Sequence, residues 1–372
     1  MTVGDRRFGG PGRPVRRRLL LALSVLLAAG CGPVGPTVLQ QGRNGYNIAI
    51  QRSNDEQLLL NLVRLRYRDT PFFLEVSSVS SQFTFEGSAT LSGTANEKNP
   101  DVLGLGTGVG FSERPTVSFT PLQGEKFVRM VLSPVSLDSL VLLCNSGWSV
   151  ERVFRTCVQR MNGLRNAPSA SGPTPATPPE YAGFVEATRL LRRLQQRDAV
   201  AFAFEKEAGA FVPVLRLAPA AAGVAEVRRL TALVGPPGPG GRYRLYGSGA
   251  GTPRAGDLVL QTRSLLGILF FLSQAVSVPE ADEAAGRVTV TRGPGGEKFD
   301  WGQVVGDILR IRHSASRPAG AAVAIRYRGR WFYLDDTDLD SKSTFSLLAQ
   351  LVALQSGRVE RVTPLLTLPV GQ

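Results

Sequence analysis

The residues that could do chemistry are few, and most are better explained by structure. Gly104 to Gly110, "GLGTGVG", suggests a phosphate loop, but Val109 stands where G-x-G-x-x-G needs its third glycine. Glycine at every second position instead places a flat strip on one face of a strand. Asp335 to Ser343, "DDTDLDSKS", suggests calcium. An EF-hand loop starting at Asp336 needs Gly at its sixth place and Glu at its twelfth, and these are Ser341 and Leu347. Acids before a helix satisfy its first N–H groups equally well. His313 is the single histidine, which excludes multi-histidine zinc sites, and no serine sits in G-x-S-x-G. Four acids, Glu75, Glu86, Asp307 and Asp338, remain as a source for a two-carboxylate hydrolase site. No metal site and no cofactor are expected.

Basic and aromatic residues alternate in "IRYRGRWFYLDD". Arg326, Arg328, Arg330 and Trp331 are the candidate contacts for an anionic polymer or lipid, on a hairpin turning at Gly329. A solvated edge hairpin is the plainer alternative. Cys144 and Cys157 fall in two successive expected helices, which sets their Cα atoms roughly 10 Å apart, too far for a bridge. They read as buried free thiols.

Cys31 has a different setting. Residues 1–18 hold six Arg against Asp5, Leu19 to Ala29 is an apolar run broken only by Ser24, and Ala28, Ala29 and Gly30 precede the cysteine. The run falls well short of the ~20 residues of a membrane-spanning helix and has the form of a secretory signal. Residues 1–32 resemble the signal and lipobox of bacterial lipoproteins, although Ala28 stands where that pattern usually has Leu. The resemblance implies cleavage before Cys31 and lipidation of its thiol. It also implies transfer to the outer membrane, since Gly32 and not Asp follows. With the five net charges of the signal removed, the formal charge falls from +13 to +8. The arginines suit anionic envelope partners, and nucleic acid is not expected of an exported chain.

The periodicity predicts an α+β fold of antiparallel sheets with packed amphipathic helices. Residues 1–30 are the signal and 31–52 a Gly/Pro-led tether. Residues 53–164 begin with a helix from a Ser53–Glu56 capping box, with Leu58, Leu59, Leu62, Val63 and Leu65 inward. An antiparallel meander of three or four strands over 72–121 follows, with Gly87 and Gly93 at turns or bulges. A helix hairpin then ends at Asn162–Gly163. Residues 165–179, "RNAPSASGPTPATPP", read as a linker or mobile loop. Residues 180–372 read as α+β: a helix with Phe184, Val185, Leu190, Leu191 and Leu194 inward, a hairpin at Gly209, and a helix over 264–277. Strands "RVTVTR" and "DILRIRHS" follow, then the Arg326 hairpin, a helix capped by Asp340 or Ser341, and a last strand over 361–370.

"EQLLLNLVRLRYRDTPFFLEVSSVSSQFTF" and "RWFYLDDTDLDSKSTFSLLAQLVALQSG" together resemble a group of uncharacterised Gram-negative envelope lipoproteins, a resemblance that supplies no activity. The expectation is a periplasm-facing outer-membrane lipoprotein that binds or assembles with other envelope proteins. Two alternatives stand beside it. One is a structural subunit whose 72–121 strands pair between chains in a multimeric envelope channel or export complex. The other is a carboxylate-dependent hydrolase of an envelope polymer.

Overall fold

The computed structural model describes residues 34–356, other than 97, 98, 123, 208, 222 and 250. Cys31 and the strand expected over 361–370 lie outside these residues. The fold is α+β, as the periodicity indicates. The chain divides into two units, Met1–Asn54 and Asp55–Gln372. In the first, the described residues belong to helix α1 (Val34–Arg66), which runs on into the second. Residues 34–52 of the expected tether are therefore helical, and 31–33 lie outside the described residues. Pro36 falls in the first turn, where its missing N–H costs nothing, and the glycines that follow lower propensity without breaking the helix. Ser53 lies inside α1, so its capping box is not used. Leu58, Leu59, Leu62, Val63 and Leu65 are buried, as their spacing requires.

After α1 the chain forms one long hairpin, not a meander. Strands β1 (Leu74–Asn96) and β2 (Asn99–Pro121) have 23 residues each and pair only with one another among the described residues. The glycines expected to turn or bulge stay in register: Gly87 faces Val109 and Gly93 faces Leu103. Register shifts occur instead at Val76/Ser78 and Thr94/Asn96. Glycine is compatible with extended backbone, so it marked a face and not a turn.

Helices α2 (Gly124–Leu132), α3 (Leu137–Asn145) and α4 (Val150–Cys157) follow. Ser149 caps α4, its hydroxyl accepting from the Arg152 N–H. The helix stops at Cys157, short of the expected end. Val158–Met161 is strand β3, and Asn162–Gly163 is the two-residue turn into β4 (Leu164–Arg165). Asn162 has φ +49, the left-handed conformation that Asn-Gly hairpin turns favour. The same dipeptide signals a helix end or a hairpin, and pairing of β3 with residues 260–262 decides for the hairpin.

The main sheet has the order β4-β3-β8-β7-β6-β5. Its other strands are β5 (Val200–Glu207), β6 (Ala210–Leu217), β7 (Arg242–Gly247) and β8 (Asp257–Thr262), and only β7 and β8 run parallel. Helix α5 (Ala182–Gln195) buries Phe184, Val185, Leu190, Leu191 and Leu194. Helix α6 (Ala225–Val234) packs against α5. Two strands of this sheet end by Arg165 and four follow residue 179, so the Pro-rich segment is no domain boundary. Asn166, Ala167, Ala170 and Thr174 within it are buried. Small residues and proline let the backbone lie close against the core, where its polar groups are met by Arg263.

Helix α7 (Leu265–Ser273) is buried around most of its circumference. Short helices α8 (Glu280–Ala284) and α9 (Gly302–Val305) bracket residues 287–292, which form no strand. Arg66 donates to the Thr289 carbonyl, Thr291 Oγ1 donates to the Pro175 carbonyl, the Arg292 N–H donates to the Ala176 carbonyl, and Arg292 makes an isolated bridge with Lys298. Of "DILRIRHS" only Arg312–Ser314 is extended, as β9. It joins β10 (Ala321–Tyr327) and β11 (Arg330–Asp335) in the order β10-β11-β9. Helix α10 (Leu339–Ser356) is capped by Asp338, whose Oδ1 accepts the Ser341 N–H at 3.1 Å, and not by Asp340 or Ser341.

Candidate functional site

The hairpin is held at its root by two amide side chains one turn apart on α1. Asn61 donates from Nδ2 to the Phe72 carbonyl at 2.8 Å and accepts the Phe72 N–H at 2.9 Å. Gln57 does the same at Leu74, with 3.1 and 2.7 Å. Four residues of helix rise about 6 Å, and two residues of strand span nearly the same distance. The helix thus presents a surrogate strand edge of two rungs. Asn61 is fully buried, and Phe73 packs its ring 5.6 Å from that of Phe127 on α2. The Leu122 N–H closes the root on the Phe73 carbonyl at 3.0 Å. A sequence signal existed: two amides at i and i+4 on an otherwise apolar stripe.

Beyond the root the ladder sorts residue types by face. Directly paired residues of an antiparallel ladder share a face, and faces alternate along each strand. One face holds the pairs Phe85–Phe111, Gly87–Val109, Ala89–Thr107, Leu91–Leu105 and Gly93–Leu103. The other holds Thr84–Ser112, Glu86–Gly110, Ser88–Gly108, Thr90–Gly106 and Ser92–Gly104. Between Glu86 and the turn, and between Asp101 and Glu113, neither strand carries a charge among its described residues. The Gly104–Gly110 motif is therefore one side of this polar strip.

The basic hairpin does not gather its four candidates. Arg326 pairs with Trp331 in register, so these two share a face, with Arg317 lying 5.4 Å from the Trp331 ring centre. Arg330 pairs with Tyr327 on the opposite face. Arg328 sits in the turn at φ +47, followed by Gly329 at φ +79. It is already engaged, bonding Asp69 at 3.0 Å and lying 5.1 Å from the Tyr67 ring centre. The Tyr327 hydroxyl donates to the same Asp69 carboxylate. Arg328 thus fastens the end of α1, where Tyr67 also donates to Asp282 at 2.6 Å. Burial and the Asp282 hydrogen bond push the Tyr67 hydroxyl far above its ordinary range.

The candidate acids have local duties. Burial opposes ionisation of Asp307, but the hydrogen bonds and charge of Arg155, with a bond from Arg189, outweigh it and hold the carboxyl down at about 2. Arg155 reaches it at 2.5 and 2.7 Å. Asp338 caps α10 and lies 3.6 Å from Arg310. Glu75 and Glu86 occupy hairpin positions whose side chains lie outside the described residues. His313 Nδ1 meets the Ser277 hydroxyl at 3.0 Å. Among the described residues no cluster of three His, Cys, Asp or Glu is placed to hold a metal. A cleft of about 760 Å³ lies beside Arg66, Gln274, Trp301 and Arg310. Its acids are also occupied, Glu283 by Lys298 at 2.7 Å and Asp300 by the Gly302 N–H at 2.8 Å.

Sequence reasoning missed a buried cation of the body, Arg263. It is fully buried and lies 3.9 Å from the Phe271 ring centre. Its guanidinium donates to Ser171 Oγ at 3.0 Å, to the carbonyls of Arg155, Thr156 and Val158 at 3.2, 3.3 and 2.9 Å, and to that of Asn166. Burial lowers its pKa to about 9, which still leaves it charged at neutral pH. Cys144 and Cys157 are buried and unbridged, and burial pushes both thiols up to about 12. No family model matches the chain, and neither a curated protein nor a solved structure matches it.

Proposed function

We propose that the chain is a lipid-anchored assembly subunit of the Gram-negative outer membrane, whose copies associate through the free edges of β1 and β2. The observation that carries this reading is the lone hairpin itself. An isolated two-stranded ribbon is marginal in water, and its outer edges present unpaired N–H and C=O groups to any strand that meets them. At about 3.3 Å per residue, strands of 23 residues reach roughly 75 Å, far longer than the strands of the body. Prolines that would blunt an edge fall at 100, 115 and 121, which leaves 101–114 free to pair. The lipobox-like segment ending at Cys31 supplies the anchor, and acyl chains on Cys31 hold each subunit at one surface. Anchored copies share a plane, which raises their effective concentration for edge pairing.

The test is the native mass of full-length, lipidated protein extracted in mild detergent. The expected result is an oligomer that becomes a monomer when 75–120 are replaced by a short turn, with the body still folded. Oligomers of unchanged size after that replacement would contradict the reading.

A further inference from the structure

The sorting of residues on the hairpin says more than that the edges pair. We infer that a ring of these hairpins crosses the outer membrane as a β-barrel, with the Ser/Thr/Gly face turned to a water-filled lumen and the Phe/Leu/Val/Ala face to lipid. This inference rests on the assembly reading above. It goes further by fixing where the hairpins lie and what passes between them.

Three independent features agree. The first is length. A barrel strand needs about 9–11 residues to cross a bilayer at its usual tilt. The charge-free stretches 87–96 and 102–112 supply about ten residues apiece, in register across the ladder. The second is alternation. Every position from Ser78 to Ser92 on the even-numbered face of β1 is Ser, Thr, Gln or Glu, while the odd-numbered face from Phe83 to Leu91 is Phe, Phe, Gly, Ala and Leu. On β2 the even positions 104–110 are all Gly, and the odd ones include Leu103, Leu105, Val109 and Phe111. A soluble hairpin resting on a partner needs one apolar face. Only a barrel wall also needs an unbroken polar face without a buried charge and both edges free. The third is the boundary. Phe85 pairs with Phe111 next to Glu86–Gly110 and Phe83–Glu113, so an aromatic pair sits where charge begins, the place aromatic girdles occupy in membrane barrels. Asp101 and the Asn96–Asn99 pair stand at the other limit.

No helix among the described residues is long and apolar enough to cross a membrane. Each copy gives two strands. The smallest membrane barrels have eight, and a water-filled lumen calls for about 16 or more. A conducting ring therefore needs about eight copies or more. Glycine at every lumen position of β2 from Gly104 to Gly110 leaves the wall thin, which suits passage of small polar solutes.

The experiment places single cysteines at 88, 89, 90, 91 and 92 and at 104, 105, 106 and 107 in the full-length lipidated chain. Each carries an environment-sensitive dye, and the protein is reconstituted into phosphatidylethanolamine/phosphatidylglycerol vesicles. Cys144 and Cys157 are buried with raised thiol pKa values and do not compete for label. The expected result is a period of two. Odd positions are quenched at least threefold more by a lipid-tethered nitroxide, and even positions at least threefold more by aqueous iodide. Vesicles also release a trapped small sugar, and Leu91→Arg lowers that release at least tenfold while Ser92→Arg does not. Oligomers with no period of two, or with odd positions shielded from lipid by protein, overturn the barrel and leave the assembly reading standing. Monomers in vesicles overturn both.

Discussion

Arg263 in the body and the outer edges of the hairpin mark two opposite ways for a backbone to be satisfied. In the body a single buried donor gathers several backbone carbonyls. One buried guanidinium serves the carbonyls of Arg155, Thr156, Val158 and Asn166, ties the Pro-rich segment to the β3 junction, and needs no carboxylate beside it. In the hairpin each strand has one partner, and its far edge meets no other strand among the described residues. The body is complete as a single copy. On the proposed reading the hairpin is completed by other copies, and Gln57 and Asn61 are the joint between it and the body.

If the body is self-sufficient, its largest sensitivity lies at that guanidinium. Arg263→Met leaves buried carbonyls without donors and is expected to cost about 3–5 kcal/mol. Urea unfolding of the full chain, followed by tryptophan fluorescence, measures it, and a loss below ~1 kcal/mol would mean that the braces are dispensable. The joint comes next. The Gln57→Ala, Asn61→Ala double variant is expected to ease local opening at Phe72 and Leu74 by about 1–3 kcal/mol. Hydrogen exchange at those two amides should rise while amides of β6 and β7 keep their protection. Equal change in both regions would show that hairpin and body are one cooperative unit.

Asp307 gives the comparison a pH dependence. Its carboxyl is held below its unfolded value, so its contribution is present above about pH 4 and is lost as pH falls toward 2. The group is partly open to solvent, which limits the contribution to about 1 kcal/mol. Acid unfolding monitored by circular dichroism should be less steep between pH 4 and 2 in Asp307→Asn, and hairpin amide exchange should not follow it. The smallest effect separates the two arginines of the basic hairpin. Arg328→Ala loses Asp69 and the Tyr67 ring and should cost about 0.5–1 kcal/mol. Arg326→Ala, at an exposed position, should stay within ~0.5 kcal/mol. The reverse order would return Arg328 to the role of a free contact.

Helical stripes were the most legible part of the fold. Leu58 to Leu65 and Phe184 to Leu194 are buried as their 3.6 period demands, and the Gly209 and Gly329 hairpins turn where glycine tolerates positive φ. What escaped depended on pairing between distant segments. "VQRM" continues a helical pattern and becomes β3 because β8 is there to receive it. "RVTVTR" alternates like a strand but meets no strand among the described residues and makes only the isolated Arg292–Lys298 bridge. Residues 165–179 have the composition of a linker, yet Asn166 and Thr174 are fixed by Arg263 and Arg66 from about a hundred positions away. At the site, the alternation of β1 and β2 was fully present in sequence. The register was not, and only the register brings the polar residues of β1 onto the same face as the glycines of β2. Arg326, Arg328, Arg330 and Trp331 were singled out by composition, but a type-specific turn at 328–329 splits them between two faces and a tether.

The central claim, that the body is finished alone and the hairpin only in an assembly, is tested most directly by residue-resolved hydrogen exchange. The measurement compares β1 and β2 of the lipidated oligomer with the same chain held dilute as a monomer. In the monomer, alternate amides of each strand point to the free edge and should exchange at least a hundredfold faster than their neighbours. In the oligomer that alternation should vanish, with both sets protected, while amides of the main sheet are unchanged. Persistence of the alternation in the oligomer would contradict the account, because the edges would then still be open after assembly.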